Sequence, residues 1–177
     1  SPAPDGAMLY HIRLPSGKER YLRIETTHED GTQVGLAEDV TANTLEKLRI
    51  EHERDYDTLT GLYRRRAFDR ACEALFQQPE KLGCAALLMM DLDNLKQIND
   101  TYGHDWGDQY IRQTGQCFAA NTPANTICSR LSGDEFLIFF YGYQDQAQLR
   151  TQLELLSAAL QRSVSILPNG KQLHISI

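Results

Sequence analysis

The first forty residues alternate apolar and polar positions in three short runs. Tyr10, Ile12 and Leu14 alternate with polar residues in the first run. The second and third runs begin at Tyr21 and Val34, and turn-forming residues separate all three. This pattern predicts an antiparallel β-meander. Three such strands are too few to bury a core of their own, so they are expected to belong to a larger module.

Residues 41–56 lose the alternation and become rich in charged residues that favour helix and solvent. The positions at coiled-coil spacing include Leu45, Leu48 and Leu59, but an equal number of positions at that spacing are polar. Two interpretations therefore stay open for this helix. It is either a plain linker, or a parallel coiled coil that joins two copies of the chain.

From residue 57 onward, helical periodicity alternates with apolar runs. Helices and strands are expected over these ranges: helices at 62–77, 95–120 and 145–163, and strands at 84–92, 126–131, 135–141 and 172–177. The run Cys84–Leu92 is apolar throughout, as expected of a central strand covered on both faces. Ser132–Asp134 reads as a tight hairpin between two strands. The order βααββαβ predicts an α/β (α+β) sandwich with one antiparallel sheet and flanking helices.

The charge of the chain limits its partners. The formal net charge is −6 and the pI is about 5.3, whereas a duplex-binding domain normally presents a basic face. General nucleic-acid binding is therefore disfavoured. No apolar run approaches the roughly 20 residues that span a bilayer. A single nucleotide remains a candidate ligand, because acidic residues can recruit a cation that neutralises its phosphates.

Four carboxylates lie where strands end. Asp91 and Asp93 close the run of 84–92, and Asp134 and Glu135 lie at the hairpin tip. Strand ends and hairpin tips gather along one rim of a sheet, where clustered carboxylates are costly unless a cation lies among them. Oxygen ligands with room for water and phosphate suit Mg²⁺. The alternative is that these acids simply face solvent.

Three segments resemble motifs of the GGDEF (diguanylate cyclase) domain family. Asp57–Leu62 is similar to the DxLTGL opening, Met90–Asp108 to DxDxFKxINDxxGHxxGD, and Arg130–Phe136 to RxGGDEF. The resemblance runs from Asp57 to the C-terminus. It implies a nucleotidyl-cyclase, palm-like fold and an enzyme that condenses two GTP molecules into cyclic di-GMP. It further implies a homodimer that uses Mg²⁺, with Mn²⁺ as an alternative, in the cytoplasm of a bacterium.

The resemblance also implies roles for residues near the metal. Asp91, Asp134 and the backbone carbonyl of Leu92 would hold Mg²⁺. Lys96 would neutralise phosphate charge, and with Asp134 and Glu135 it would form the catalytic set. Within that set, Glu135 would support the metal.

A second group of residues would hold the nucleotide. Asn99 and Asp108 would contact the edge of guanine, where a carboxylate can accept from N1–H and the N2 amino group. The peptide at Asn94 and Leu95, where a helix starts, would cradle phosphates. Gly133 would let the hairpin pass close to the nucleotide.

The N-terminal meander resembles the last strands of a PAS domain, because Gly35–Thr41 is similar to the family's closing G…xDVT strand. The expected organisation is the C-terminal part of a PAS-like sensor at 1–40, a signalling helix at 41–56, and a GGDEF domain at 57–177. The family pattern places a further basic helix beyond Ile177. The domain is therefore expected to be C-terminally truncated, and the chain as given to be poorly active.

Several positions depart from the family pattern. Ser132 replaces the first glycine of GGDEF, Arg64 stands at an asparagine position, and Leu95 replaces phenylalanine. A serine that needed a positive φ would be strained. Residues 123–126 read Pro-Ala-Asn-Thr, so the RxxD product-inhibition site is expected to be absent.

Two functions follow from these observations. The first is a cyclase regulated by its PAS-like part. The alternative is an inactive GGDEF module that binds GTP and regulates an adjoining domain, such as a cyclic di-GMP phosphodiesterase. The cytoplasmic location has its own alternative, the cytoplasmic part of a membrane-bound sensor.

Overall fold

The computed structural model describes residues 7–29, 32–166, 170 and 172–176. The elements run in this order: β1 (Met8–Arg13), β2 (Glu19–Glu29), β3 (Thr32–Asp39), α1 (Thr41–Asp55), β4 (Tyr63–Arg64), α2 (Arg65–Phe76), α3 (Pro79–Leu82), β5 (Cys84–Asp91), α4 (Leu95–Tyr102), α5 (His104–Asn121), β6 (Thr126–Ser132), β7 (Glu135–Tyr143), α6 (Gln146–Arg162), β8 (Val164–Ile166) and β9 (Gln172–His174). The chain divides into two compact units, residues 1–52 and 53–177.

The first unit contains the predicted meander. β1, β2 and β3 form one antiparallel sheet in that order. The centre of the turn predicted at 29–32 lies outside the described residues. The hydroxyl of Thr41 accepts a hydrogen bond from the backbone N–H of Tyr21 at 2.8 Å, and the Thr41 N–H donates to Asp39 Oδ1 at 3.0 Å. These bonds fix the start of α1, which matches the predicted helix to within one residue at its end.

The second unit is built on a mixed four-stranded sheet, in the order β4-β6-β7-β5. The prediction of a purely antiparallel sheet was wrong, because β4 pairs with β6 in parallel. For the same reason α2 begins at Arg65 and not at Leu62. Tyr63 and Arg64 are extended, and the Ser129 hydroxyl donates to the Tyr63 carbonyl at 2.8 Å. A short strand therefore replaces the first predicted turn of the helix.

The two inner strands of the sheet are β6 and β7, and β5 lies at one edge. The five residues Phe136–Phe140 of β7 are all buried, because β7 pairs with β5 on one side and β6 on the other. The prediction that Cys84–Leu92 is a central strand covered on both faces was wrong. Its residues Leu87 and Met89 are 59% and 68% exposed. Apolar content alone does not distinguish a central strand from an edge strand.

Two apolar clusters hold the helices against this sheet. On one face, Phe118 of α5 packs edge-on against Phe136 of β7, with ring centroids 5.3 Å apart. On the other face, Phe68 of α2 packs with Ile127 and Phe139. Burying an aromatic ring of this kind contributes about 3–5 kcal/mol, measured by truncation to alanine. Helices thus pack on both faces of the sheet, and the end of its β5–β7 ladder carries the acidic residues.

The C-terminal strands form a small sheet of their own. The strand predicted at 172–177 is observed as β9, which pairs with β8. Ile177 lies outside the described residues. Just after β9, the carbonyl of Ser176 accepts a hydrogen bond from the Asp93 N–H at 3.0 Å.

Candidate active site

The four predicted carboxylates gather at the end of the β5–β7 ladder. Asp91, the last residue of β5, lies opposite Glu135, the first residue of β7. The Leu92 N–H donates to the carbonyl of Asp134 at 2.9 Å, which ties the end of β5 to the hairpin. The negative charge of Asp134, followed by burial and the charges of Glu135 and Asp93, raises the pKa of Asp91. The acids are therefore close enough to repel one another.

Two of these acids have neutral hydrogen-bond donors. Ser132 Oγ donates to Glu135 Oε2 at 2.8 Å, and Ser176 Oγ donates to Asp93 Oδ2 at 2.6 Å. Within the part of the chain that the structure describes, Asp91 and Asp134 form no ion pair. Converged carboxylates of like charge without a basic partner fit a divalent cation.

The donor set for such a cation is small. Among the described residues, no group of three or more His, Cys, Asp or Glu side chains has an arrangement that could hold a metal. Asp91 and Asp134 would supply two oxygens, and the Leu92 carbonyl is a third candidate. The remaining positions would belong to water and to a ligand's own oxygens, which is how Mg²⁺ is commonly bound beside phosphates.

A strained backbone position follows the acids. Asn94 has φ 65°, and it is the one non-glycine residue with a positive φ in the described ranges. It is the N-cap of α4, and no side chain caps that helix end. The first N–H groups of a helix have no partner within the helix. Together with the helix dipole, they can bind an anion. Leu95 is buried in the core, whereas Lys96 is exposed beside these N–H groups.

The predicted guanine contacts lie where α4 meets α5. Asn99 of α4 is half-buried, and its Oδ1 is buried without a hydrogen-bond partner. A Cβ on Gly107 of α5 would lie 2.0 Å from that oxygen. Glycine at this position therefore leaves the space that the Asn99 side chain occupies. Asp108 follows Gly107 directly and is exposed, so it lies one residue from the point where α5 meets Asn99.

The hairpin turn is made by Gly133 and Asp134, since Ser132 pairs with Glu135. Gly133 has φ 32°, and a Cβ there would meet nothing within 4 Å. The positive φ therefore favours glycine at this position, whereas an added Cβ would not clash with any neighbouring atom. Ser132 does not adopt a positive φ, so the strain considered for a serine at this position does not arise.

An ion pair that was not predicted, between Arg130 and Asp57, stabilises the hairpin. Arg130 donates through Nε and Nη2 to the Gly133 carbonyl, at 3.0 and 2.7 Å. Its Nη1 lies 3.2 Å from Asp57 Oδ1. Burial tends to raise the pKa of Asp57, but hydrogen bonds from Thr60 and the Arg130 charge outweigh it and hold that pKa below its usual value. The signal was present in the sequence, since both residues belong to family-like motifs.

The segment expected to lack the RxxD site has a structural role. Asn125 Nδ2 donates to the Tyr141 carbonyl at 2.5 Å, and β6 begins at Thr126. Residues 123–126 present no guanidinium or carboxylate group. The absence of product binding there stays a prediction.

The mixed sheet with flanking helices and an acidic rim defines a palm-like cyclase domain. Residues 54–177 match the family described as the diguanylate cyclase GGDEF domain. The chain therefore belongs to the GGDEF family. It is similar to a sensory box/GGDEF family protein from Caulobacter crescentus, with 28% identity, 68% of this chain and 78% of that chain covered, and a TM-score of 0.56. It also resembles the coiled coil and GGDEF domain of DgcB from C. crescentus in complex with c-di-GMP, with 25% identity, 76% and 73% coverage, and a TM-score of 0.60.

The curated relatives are longer proteins. An uncharacterized membrane protein of Staphylococcus aureus strain USA300 is 32% identical over 130 residues, which are 73% of this chain and 36% of that protein. The chain thus spans about a third of the length of the curated relatives it matches. Among the described residues, no helix combines the length and apolar character needed to cross a membrane. The family match begins at residue 54 and does not include the N-terminal strands.

Replacing Asp91 with asparagine is expected to stabilise the domain in the absence of metal. The folded-state pKa of Asp91 is raised above its ordinary value of 3.8, so stability falls as pH rises from about 4 through the folded pKa. Removing the charge should therefore raise the Tm at pH 7 in EDTA. At about pH 3, where Asp91 is protonated in both states, the difference should vanish.

The control is Glu154→Gln, which removes an exposed charge on α6. Thermal unfolding monitored by circular dichroism measures all three proteins. An Asp91→Asn protein that is less stable than wild type at pH 7 would contradict the repulsion inferred between these carboxylates.

Proposed function

We propose that this chain is a diguanylate cyclase domain that binds GTP and acts as a homodimer. Each 3′-hydroxyl oxygen attacks the α-phosphorus of the GTP held by the other copy. The bond from that phosphorus to the leaving oxygen breaks, so two pyrophosphates and two protons are released and cyclic di-GMP forms. The observation that carries the proposal is the convergence of Asp91 and Asp134 beside the uncapped start of α4.

The acids and the start of α4 suit the phosphates. Asp91, Asp134 and the Leu92 carbonyl would hold Mg²⁺, with Mn²⁺ as an alternative. When bound, such an ion offsets phosphate charge and favours ionisation of the attacking hydroxyl. Lys96 would add a positive charge beside the N–H groups that follow Asn94, and Glu135 would support the metal position. Preorganised charges of this kind are often the largest contribution to rate.

Asn99 and Asp108 would select guanine. The unpartnered Asn99 Oδ1 is an acceptor that costs free energy while it is buried without a donor. The N–H groups of guanine are such donors, and the Asp108 carboxylate can accept a further one. Gly133 at the hairpin turn would keep side-chain atoms away from the nucleotide on that side.

The N-terminal residues are proposed to regulate how two copies meet. In this proposal residues 1–40 are the end of a PAS-like sensor, 41–56 is a signalling helix, and 57–177 is the GGDEF domain. The exposed Leu45 and Leu48 of α1 are available to pair with a second helix. One Caulobacter neighbour is described as a sensory box protein, and another contains a coiled coil. The proposed location of the GGDEF domain is the cytoplasm.

One observation favours the alternative of an inactive, GTP-binding module that regulates an adjoining domain such as a phosphodiesterase. The Ser132 hydroxyl, which a glycine would lack, holds the Glu135 carboxylate at 2.8 Å. That bond competes with the supporting role proposed for Glu135. The alternative retains the guanine and phosphate contacts but removes turnover.

The test is product formation from GTP and Mg²⁺, separated by liquid chromatography. It should be performed on the chain and on a version that continues past Ile177 to the end of the domain expected from the family pattern. Cyclic di-GMP formed from GTP and not from ATP is expected. A stable dimer that binds GTP and forms no product would favour the regulatory module. A protein that neither binds nor converts GTP would overturn both functions.

A further inference from the structure

A pocket of about 550 Å³ lies behind the catalytic hairpin, and arginines dominate its lining. Its walls include the following residues: Arg64, Arg65, Arg66, Arg130, Ser132 and Gly133. Arg54 and Asp57 also contribute, and Asp57 is the one acid of the lining. The volume falls in the range of sites for small ligands. The positive charge is local, because the whole chain carries a net charge of −6.

Among the residues that the structure describes, two of these guanidinium groups have no carboxylate partner. Arg54 pairs with Asp55, Arg65 with Asp69 and Arg130 with Asp57. The Nε of Arg64 donates a hydrogen bond to the Tyr56 carbonyl at 2.9 Å.

For Arg64 and Arg66 the described residues provide no ion pair, so their charges are available to a ligand. Arg64 is also the residue that departs from the family's asparagine.

The position of these charges is unfavourable without an anion. Arg64 is the N-cap of α2, Arg65 and Arg66 are its first two residues, and the first turn contains no acid. No side chain caps this helix end. Positive charge near a helix N-terminus opposes the helix dipole, whereas an anion there is stabilised by the dipole and by free N–H groups. Consecutive arginines at this end therefore favour a bound anion.

We propose that this pocket is a second anion site, separate from the nucleotide site, and that it binds a short phosphate chain such as pyrophosphate or the triphosphate of a nucleotide. Arg64 and Arg66 would supply charge-assisted hydrogen bonds to phosphate oxygens, for which the planar guanidinium is well suited. Arg130 would remain with Asp57 and the Gly133 carbonyl. The inference concerns binding and does not depend on whether the domain turns over GTP.

The test is isothermal titration of the chain with inorganic pyrophosphate in EDTA at about 50 mM salt, where charge interactions are weakly screened. ATP, GTP and cyclic di-GMP are titrated in parallel. The wild type should bind pyrophosphate and ATP with similar affinity, because the phosphate chain is recognised, and GTP at least as tightly, because the nucleotide site also takes it. Arg64→Asn and Arg66→Gln should each weaken pyrophosphate binding about fivefold. Arg150→Gln, at an exposed position on α6, is the control and should bind as wild type does.

Lys96→Gln removes the charge placed beside the phosphates of the nucleotide site, so it separates the two sites and should leave pyrophosphate binding unchanged. The proposal is overturned if pyrophosphate does not bind, or if the Arg64 and Arg66 variants bind it as tightly as wild type. It is equally overturned if Lys96→Gln abolishes pyrophosphate binding, or if cyclic di-GMP alone binds. Circular dichroism of each variant confirms that a loss of binding is not a loss of fold.

Discussion

Replacing Asp134 with asparagine is expected to lower cyclic di-GMP formation by about a thousandfold, the scale on which a well-placed charged group contributes to transfer chemistry. The change keeps the size of the side chain and removes the charge that faces Asp91. It leaves one of the two carboxylates proposed to hold a divalent cation, and the described residues contain no group of three or more His, Cys, Asp or Glu side chains that could hold a metal. Initial rates at saturating GTP and Mg²⁺, measured by product chromatography, check the prediction.

The stability of the Asp134→Asn protein distinguishes a loss of catalysis from a loss of the folded structure. The charge of Asp134 is the largest cause of the raised pKa of Asp91, so its removal relieves a repulsion. The Tm of the Asp134→Asn protein in EDTA should therefore equal or exceed that of wild type. Glu154→Gln is the matched control and should keep full activity. An active Asp134→Asn protein, with a rate within about tenfold of wild type, would refute the metal role proposed for this residue.

The location of the acidic rim was predictable from the sequence, because strands and hairpins leave clear local signals. Asp91 ends an apolar run, and Asp134 lies in a two-residue turn between two others. Those patterns placed β5, β6 and β7 within two residues of their observed ends. The convergence of the carboxylates followed from the general geometry of sheets.

The position of each strand within the sheet was not predictable in the same way. The pairing of Tyr63 with Ser129 joins residues that are 66 positions apart, and no local pattern encodes such a contact. Likewise, the apolar run of β5 has the composition of a central strand. It lies at the edge because, among the described residues, it pairs with β7 on one side only. Long-range register decides such features, and a single sequence does not display it.

The contacts around the site residues also could not be predicted from the sequence. The motifs drew attention to Asn99 and Asp108, but not to the space that Gly107 leaves for the Asn99 side chain. The positive φ of Asn94 had no signal beyond the tolerance of asparagine for that region. Arg130 appeared in a motif without a role, and its contacts with Asp57 and Gly133 supply one.

Replacing Asp108 with alanine is expected to weaken GTP binding by about a hundredfold and to remove the preference for GTP over ITP. ITP lacks the N2 amino group, so it offers the carboxylate one donor fewer. A site built around a hydrogen bond discriminates strongly against a ligand that cannot make it. Asp91→Ala should weaken both nucleotides in Mg²⁺ without altering their ratio. Equal GTP affinity of the Asp108→Ala protein and wild type would refute the guanine contact.

Gly107→Ala tests the same contact through geometry. Alanine favours a helix over glycine by up to about 1 kcal/mol, yet its Cβ would lie 2.0 Å from Asn99 Oδ1. The Asn99 side chain must then turn away, so GTP affinity should fall to the level of Asn99→Ala. The double variant should bind GTP no more weakly than either single variant, because both remove the same contact. Additive losses in titrations of the three proteins would show that Gly107 acts on GTP by another route, and an Asn99→Ala protein that binds GTP as wild type does would remove Asn99 from the guanine site.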